Sequence, residues 1–244
     1  MSTANPLAEM PTRAHQPSRI INVIRLQYIN TQTFVWVPLI IVGATVVFAL
    51  IILGMIPTEE HRYWMGIQSP PWYFIPAGAM ALAYSFPFSQ AMSATRREFF
   101  IGTVAAAALS AAGLSLIFLL IAAFERATDG YWMNAYVAYV PDLFANGWVS
   151  AWLTYFTLPM LAFMVGFWFA TIYKRWNATI LTLAIIGVSL LILAIAFIIT
   201  RTESWPQVGQ WATNAGPTVL TLYGLGLVAV LSLGSYATLR RTIA

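Results

Sequence analysis

Cysteine is absent from the 244 residues, which excludes a disulfide framework, a thiolate metal centre and a cysteine nucleophile. Charge is scarce: Asp, Glu, Lys and Arg make up 8% of the chain and apolar residues 60%. Soluble domains hold about 25% and 45–50%. Lysine occurs once, as Lys174 in Tyr-Lys-Arg-Trp, so there is no GxxxxGK[ST] phosphate loop and no route to ATP hydrolysis through one. Only two histidines are present, His15 and His61. His61 follows Glu59 and Glu60, which raises the question of a metal site, but a charged, solvated loop is the simpler reading. No histidine stands near a long apolar run to activate a serine. The chain is read as no enzyme, with no catalytic residue, no metal ligand and no cofactor of its own.

What the chain has instead is six long apolar runs, at about 34–56, 72–92, 100–124, 152–173, 178–200 and 217–239. At ~1.5 Å rise per residue each reaches across a ~30 Å hydrocarbon core. The expected fold is an all-α integral membrane protein of six transmembrane helices. No run holds an ionisable residue in its interior, although ion-driven pumps need one at membrane depth. Secondary transport and voltage sensing are therefore disfavoured. Pro76 and Pro87 in the second run predict a kink or an early end near Ser85. Pro217 opens the sixth run, where its missing N–H costs little.

The twelve basic residues fall in a rhythm that fixes orientation. Arg13, Arg19 and Arg25 precede the first run, Arg96 and Arg97 follow the second, Lys174 and Arg175 the fourth, and Arg240 and Arg241 the sixth. The alternate loops hold only Arg62, Arg126 and Arg201, among acids that include Glu125, Asp129 and Asp142. Lys and Arg near span ends stay in the cytoplasm, so both termini are expected inside. Basic pairs dispersed at span ends argue against nucleic-acid binding. Trp64, Trp72, Trp132, Trp148, Trp152, Trp205 and Trp211 lie in or beside the external loops, as interfacial indoles do.

The chain therefore divides into a loose cytosolic tail over 1–18, an amphipathic interfacial helix over 19–33 and a six-span domain over 34–244. The tail lacks the apolar core of a cleaved signal peptide. The stretch from Ile20 to Ile29 is too polar and too short to span. The longest loop, 125–150, is external and aromatic. Small residues at four-residue spacing (Gly102, Ala106 and Ser110; Ala77, Ala81 and Ser85) form faces suited to close helix packing.

The connection after the second run reads Phe86-Pro-Phe-Ser-Gln-Ala-Met-Ser-Ala-Thr-Arg-Arg-Glu-Phe-Phe-Ile-Gly-Thr103. Beside six spans, this segment resembles the membrane subunits of ABC-2-type exporters, in which a short coupling helix links the second and third spans. The resemblance extends to the amphipathic helix, to Gly166–Trp176 and to Ser235–Arg241. Where members often carry a glycine beside the basic end of span four, this chain has Trp176-Asn177. The resemblance implies a bacterial plasma-membrane permease that pairs with a second six-span subunit, the same or related. Two copies of a separate ATP-binding subunit would carry the ATP and Mg. Ser89, Gln90, Ser93, Thr95, Arg96, Arg97, Glu98, Lys174 and Arg175 would contact that ATPase. Tyr84, Ser85, Thr154, Tyr155, Phe156 and Met160 are guesses for an uncharged path, suited to a drug, peptide antibiotic or lipid. The competing reading is a non-transporting scaffold or immunity protein that binds a partner at its external aromatic loops.

Overall fold

The computed structural model describes residues 19–56, 60–91 and 93–240. The expected tail over 1–18 lies outside them, as do Glu59 and Arg241. Helix α1 (Arg19–Ile29) leads through a π-turn, Gln32–Trp36, into α2 (Val37–Gly54). Strand β1 (Arg62–Tyr63) and two short helical turns, the second being α3 (Ser69–Trp72), precede α4 (Phe74–Ala91). Then come α5 (Arg96–Ala127), β2 (Ala135–Tyr136), α6 (Pro141–Phe144), α7 (Trp148–Arg201) and α8 (Trp205–Arg240). Among the described residues, four helical stretches are long and apolar enough to cross a membrane: Gln32–Gly54, Arg96–Ala127, Trp148–Arg201 and Trp205–Arg240. The molecule is an all-α protein of membrane-spanning character.

Two of those helices are broken by one residue each. Asn177 (φ 77°, ψ 171°) divides α7, and Gly216 (φ 69°, ψ 167°) divides α8. Asparagine and glycine are among the few residues that tolerate positive φ. Pro217 then opens the second arm of α8 at a first-turn position.

The first arm of α7, 148–176, is the axis of the bundle. Phe163 and Phe167 within it are fully buried. Helix α4 runs parallel to it, with Gly78 against Phe163 and Phe167 and Gly166 against Ile75. Helix α5 runs antiparallel, Phe118 meeting Tyr155 at 5.1 Å and Phe100 meeting Phe167 at 5.9 Å. The second arm of α8 is again parallel, held by Thr154–Thr221 at 2.7 Å and Thr171–Thr238 at 3.1 Å. Parallel arms require the chain to travel back between them. The arm 178–201 makes that return, about 36 Å at ~1.5 Å per residue, with its side chains mostly exposed.

Sequence expectations need correction at three places. Helix α4 does not end near Ser85 but continues through Pro87 to Ala91, and among the described residues no separate short helix lies between it and α5. Helix α1 does not merely lie along a surface: Val23 and Gln27 are buried against α5, where Gly102 leaves room for Val23. The small-residue face of α5 thus receives α1, and Tyr28 reaches Ser110 at 2.7 Å. Finally, Glu125 is no loop acid, because α5 extends to Ala127 and buries it completely.

Candidate functional site

Basic side chains gather at one end of the bundle, around the turn between α4 and α5. Ser93 adopts a left-handed conformation, φ 58°. Its N–H donates to the Gln90 carbonyl and that of Ala94 to the Ser89 carbonyl, both at 3.0 Å. This is a Schellman closure of α4. Gln90 Nε2 adds a bond to the Ala94 carbonyl, 3.2 Å, and the buried Ser89 hydroxyl donates to the Phe86 carbonyl, 2.7 Å.

Helix α5 starts at once with a capping box. Thr95 Oγ1 accepts the Glu98 N–H at 3.2 Å, and the Glu98 carboxylate accepts the Thr95 N–H at 2.8 Å. Replacing Thr95 by alanine removes one of these bonds and should lower stability by about 1 kcal/mol. Thermal melting of the purified chain in mild detergent checks this, with Thr95→Ser, which keeps the capping hydroxyl, expected to retain most of the stability.

The turn is also braced from two sides. Arg96 donates to the last carbonyls of α8, Arg240 at 2.9 Å and Leu239 at 3.5 Å, where a cation suits the helix dipole. Lys174 Nζ donates to the Leu82 carbonyl of α4 at 3.2 Å. Of the nine residues expected to contact an ATPase, Ser89, Gln90, Thr95, Arg96, Glu98 and Lys174 make bonds within the fold. Ser93 and Arg97 are exposed, and Arg175 lies over the Trp176 ring at 4.0 Å.

Gln27 is the residue sequence reasoning missed here. Its amide donates to Thr103 of α5 at 2.8 Å and accepts from Ser85 of α4 at 3.0 Å. One buried side chain therefore ties α1 to both helices that form the turn. A glutamine four residues after Val23, on the apolar face of an amphipathic helix, was the available signal.

The residues guessed for a path are not brought together. Tyr84 and Ser85 line a recess of about 120 Å³ with Gln27 and Asn30 at the basic end. Thr154 lines a different cavity, about 300 Å³, between α7 and α8 with Thr157, Thr221 and Gly224. Tyr155 is buried and donates its hydroxyl to the Ala138 carbonyl, Phe156 stacks on Trp152 at 5.4 Å, and Met160 belongs to the core.

At the opposite end, residues 128–147 fold into a cap around Glu125. Its carboxylate accepts the backbone N–H groups of Val137, Ala138 and Tyr139 at 2.7–3.1 Å, and the Tyr131 side chain joins them. Successive N–H groups converging on one anion form a nest. Asp129, Gly130, Tyr131, Trp132 and Asn134 all carry positive φ, the sharp path that aims those groups. Burial, then the charge of Glu125, raises the Tyr131 phenol. Burial and the bond to Asp129 push Tyr136 up to about 12, so it stays a neutral donor. Arg62 donates to Leu53 and Ile56 at the end of α2 and to Met133 of the cap. His61 lies edge-on to Tyr136 at 5.6 Å. No protein-family model matches this chain, and no curated protein or solved structure matches it either.

Proposed function

We propose that this chain is the membrane subunit of an ATP-driven ABC-2-type exporter in a bacterial plasma membrane, with six crossings and both termini in the cytoplasm. One observation carries the reading. The turn from Ser89 to Glu98 is closed at both helix ends and braced by Arg96, yet it leaves Arg97 exposed in the first turn of α5. A turn held this rigidly passes a push on its apex into α4, α5 and α8 together. An exposed arginine there gives an acidic groove on a soluble ATPase an oriented contact. The segregation of basic residues at this end supports the inward orientation. The return arm 178–201 supports the crossing count.

In this reading the chain forms half of a path, paired with a second permease subunit, and two ATPase subunits bind ATP and Mg. The uncharged interior suits an amphipathic or hydrophobic cargo. Arg97→Glu tests the coupling and leaves the internal bonds of Arg96 untouched. Expected is a tenfold or greater loss of export and of co-purifying ATPase, with insertion and melting temperature unchanged. Full activity with ATPase still bound would end the reading. The structured cap favours the second reading, a scaffold that binds a partner externally. Deleting 129–146 would then abolish activity, and Arg97→Glu would not.

A further inference from the structure

Proline 87 sits inside α4, which continues past it to Ala91. Lacking an N–H, proline cannot pair the carbonyl four residues earlier, and its ring crowds that oxygen. The carbonyl concerned is that of Ala83. In lipid no water is at hand to satisfy it, so proline-containing spans recruit donors from neighbouring elements. The donor here is on α7. Lys174 Nζ lies 3.5 Å from the Ala83 carbonyl and 3.2 Å from that of Leu82, and 5.5 Å from the centroid of the Phe86 ring. An ammonium has three donors and can serve both oxygens at once. The aromatic face on the third side favours a cation. Lys174 is the chain's sole lysine, on the last turn of the first α7 arm, three residues before the break at Asn177.

We propose that Lys174 is the surrogate donor for the N–H that Pro87 lacks, forming a latch that fixes the basic end of α4 to α7. The latch stands independently of the exporter reading. With it closed, α4 stays aligned along the Gly78–Gly166 contact through its last two turns. With it open, the segment after Ala83 is free to pivot about the proline, and the α4–α5 turn moves with it.

A double-mutant cycle on the full chain in detergent isolates the pairing. Pro87→Ala restores the missing N–H, so Lys174 has nothing left to replace. Lys174→Met alone should lower the melting temperature by about 2–4 °C. In the Pro87→Ala background the same change should cost less, leaving only the share due to the Leu82 carbonyl and the Phe86 ring, while Lys174→Arg in the native background retains most of the stability. Equal losses in both backgrounds would overturn the proposal. A second readout does not depend on melting. The cysteine-free chain accepts spin labels at Phe88→Cys and Tyr173→Cys, both exposed. Their distance distribution should broaden with Lys174→Met and narrow again with Pro87→Ala added. A distribution unmoved by Lys174→Met would also overturn it.

Discussion

Glu125→Ala should be the most damaging single polar substitution in the chain. It removes the acceptor for three successive backbone N–H groups and leaves them buried in the cap. An orphaned buried donor costs about 1–3 kcal/mol, and three do not all find new partners. A fall of the order of 10 °C in melting temperature is expected on that basis. Glu125→Gln should fall between the two, since its amide keeps one accepting oxygen but turns an NH₂ toward groups that also donate. Tryptophan fluorescence during heating reports the change, because Trp132 lies within the cap and Trp148 directly follows it. Limited proteolysis should localise the effect to 128–147 while the bundle stays protected. Glu125→Ala melting like the parent would show that the nest holds nothing together. Tyr155 belongs to the same assembly through its bond to the Ala138 carbonyl. Tyr155→Phe is accordingly the milder probe from the opposite side.

Gly166→Ala should rival it without removing any polar group. A Cβ at Gly166 would land on the carbonyl oxygen and carbon of Ile75, well inside contact distance. The obstacle is backbone, which cannot rotate aside as a side chain can. Overpacking of cores costs about 1–3 kcal/mol when side chains yield, and a rigid neighbour places this change at or above the top of that range. Two controls sharpen the test. Gly43→Ala meets nothing within 4 Å and should be neutral or slightly stabilising in its helix. Gly224→Ala meets only a methyl of Thr157, at 2.8 Å, and should cost less than Gly166→Ala. Size-exclusion recovery after heating ranks the three, and Gly166→Ala behaving like Gly43→Ala would refute the close α4–α7 contact.

How much of this was legible beforehand depends on the range of the interaction. The apolar runs, and the gap between those at 152–173 and 178–200 where Asn177 breaks α7, are local properties, visible as hydropathy and a basic pair. The capping box, Thr95 with Glu98, is local too. Arg96 and Lys174 stand out in the sequence as charges, but their bonds within the fold do not. Their partners are carbonyls on α8 and α4, and a carbonyl has no letter in a sequence. Glu125 fails for the same reason, because a nest of N–H groups can be recognised only once the path of 129–139 is known. Pro76 and Pro87 predict a kink or an early end near Ser85, since a proline lacks the N–H that a helix interior uses. Lys174, 91 residues beyond Ala83, reaches the carbonyl that Pro87 leaves without an N–H partner. The path guesses scattered because spacing along one helix says nothing about which neighbour covers each face.

The hydroxyl pairs between the first arm of α7 and the second arm of α8 carry a mechanical consequence. Ser150 with Thr218, Thr154 with Thr221 and Thr171 with Thr238 occur near both ends of a long parallel contact. A piston stroke of even one residue, ~1.5 Å along the axis, would misalign all three pairs simultaneously. Tilting the two arms as one body disturbs none of them. They behave as keyed shafts, and a force arriving at the α8 end through Arg96 is delivered to α7 as rotation rather than as sliding.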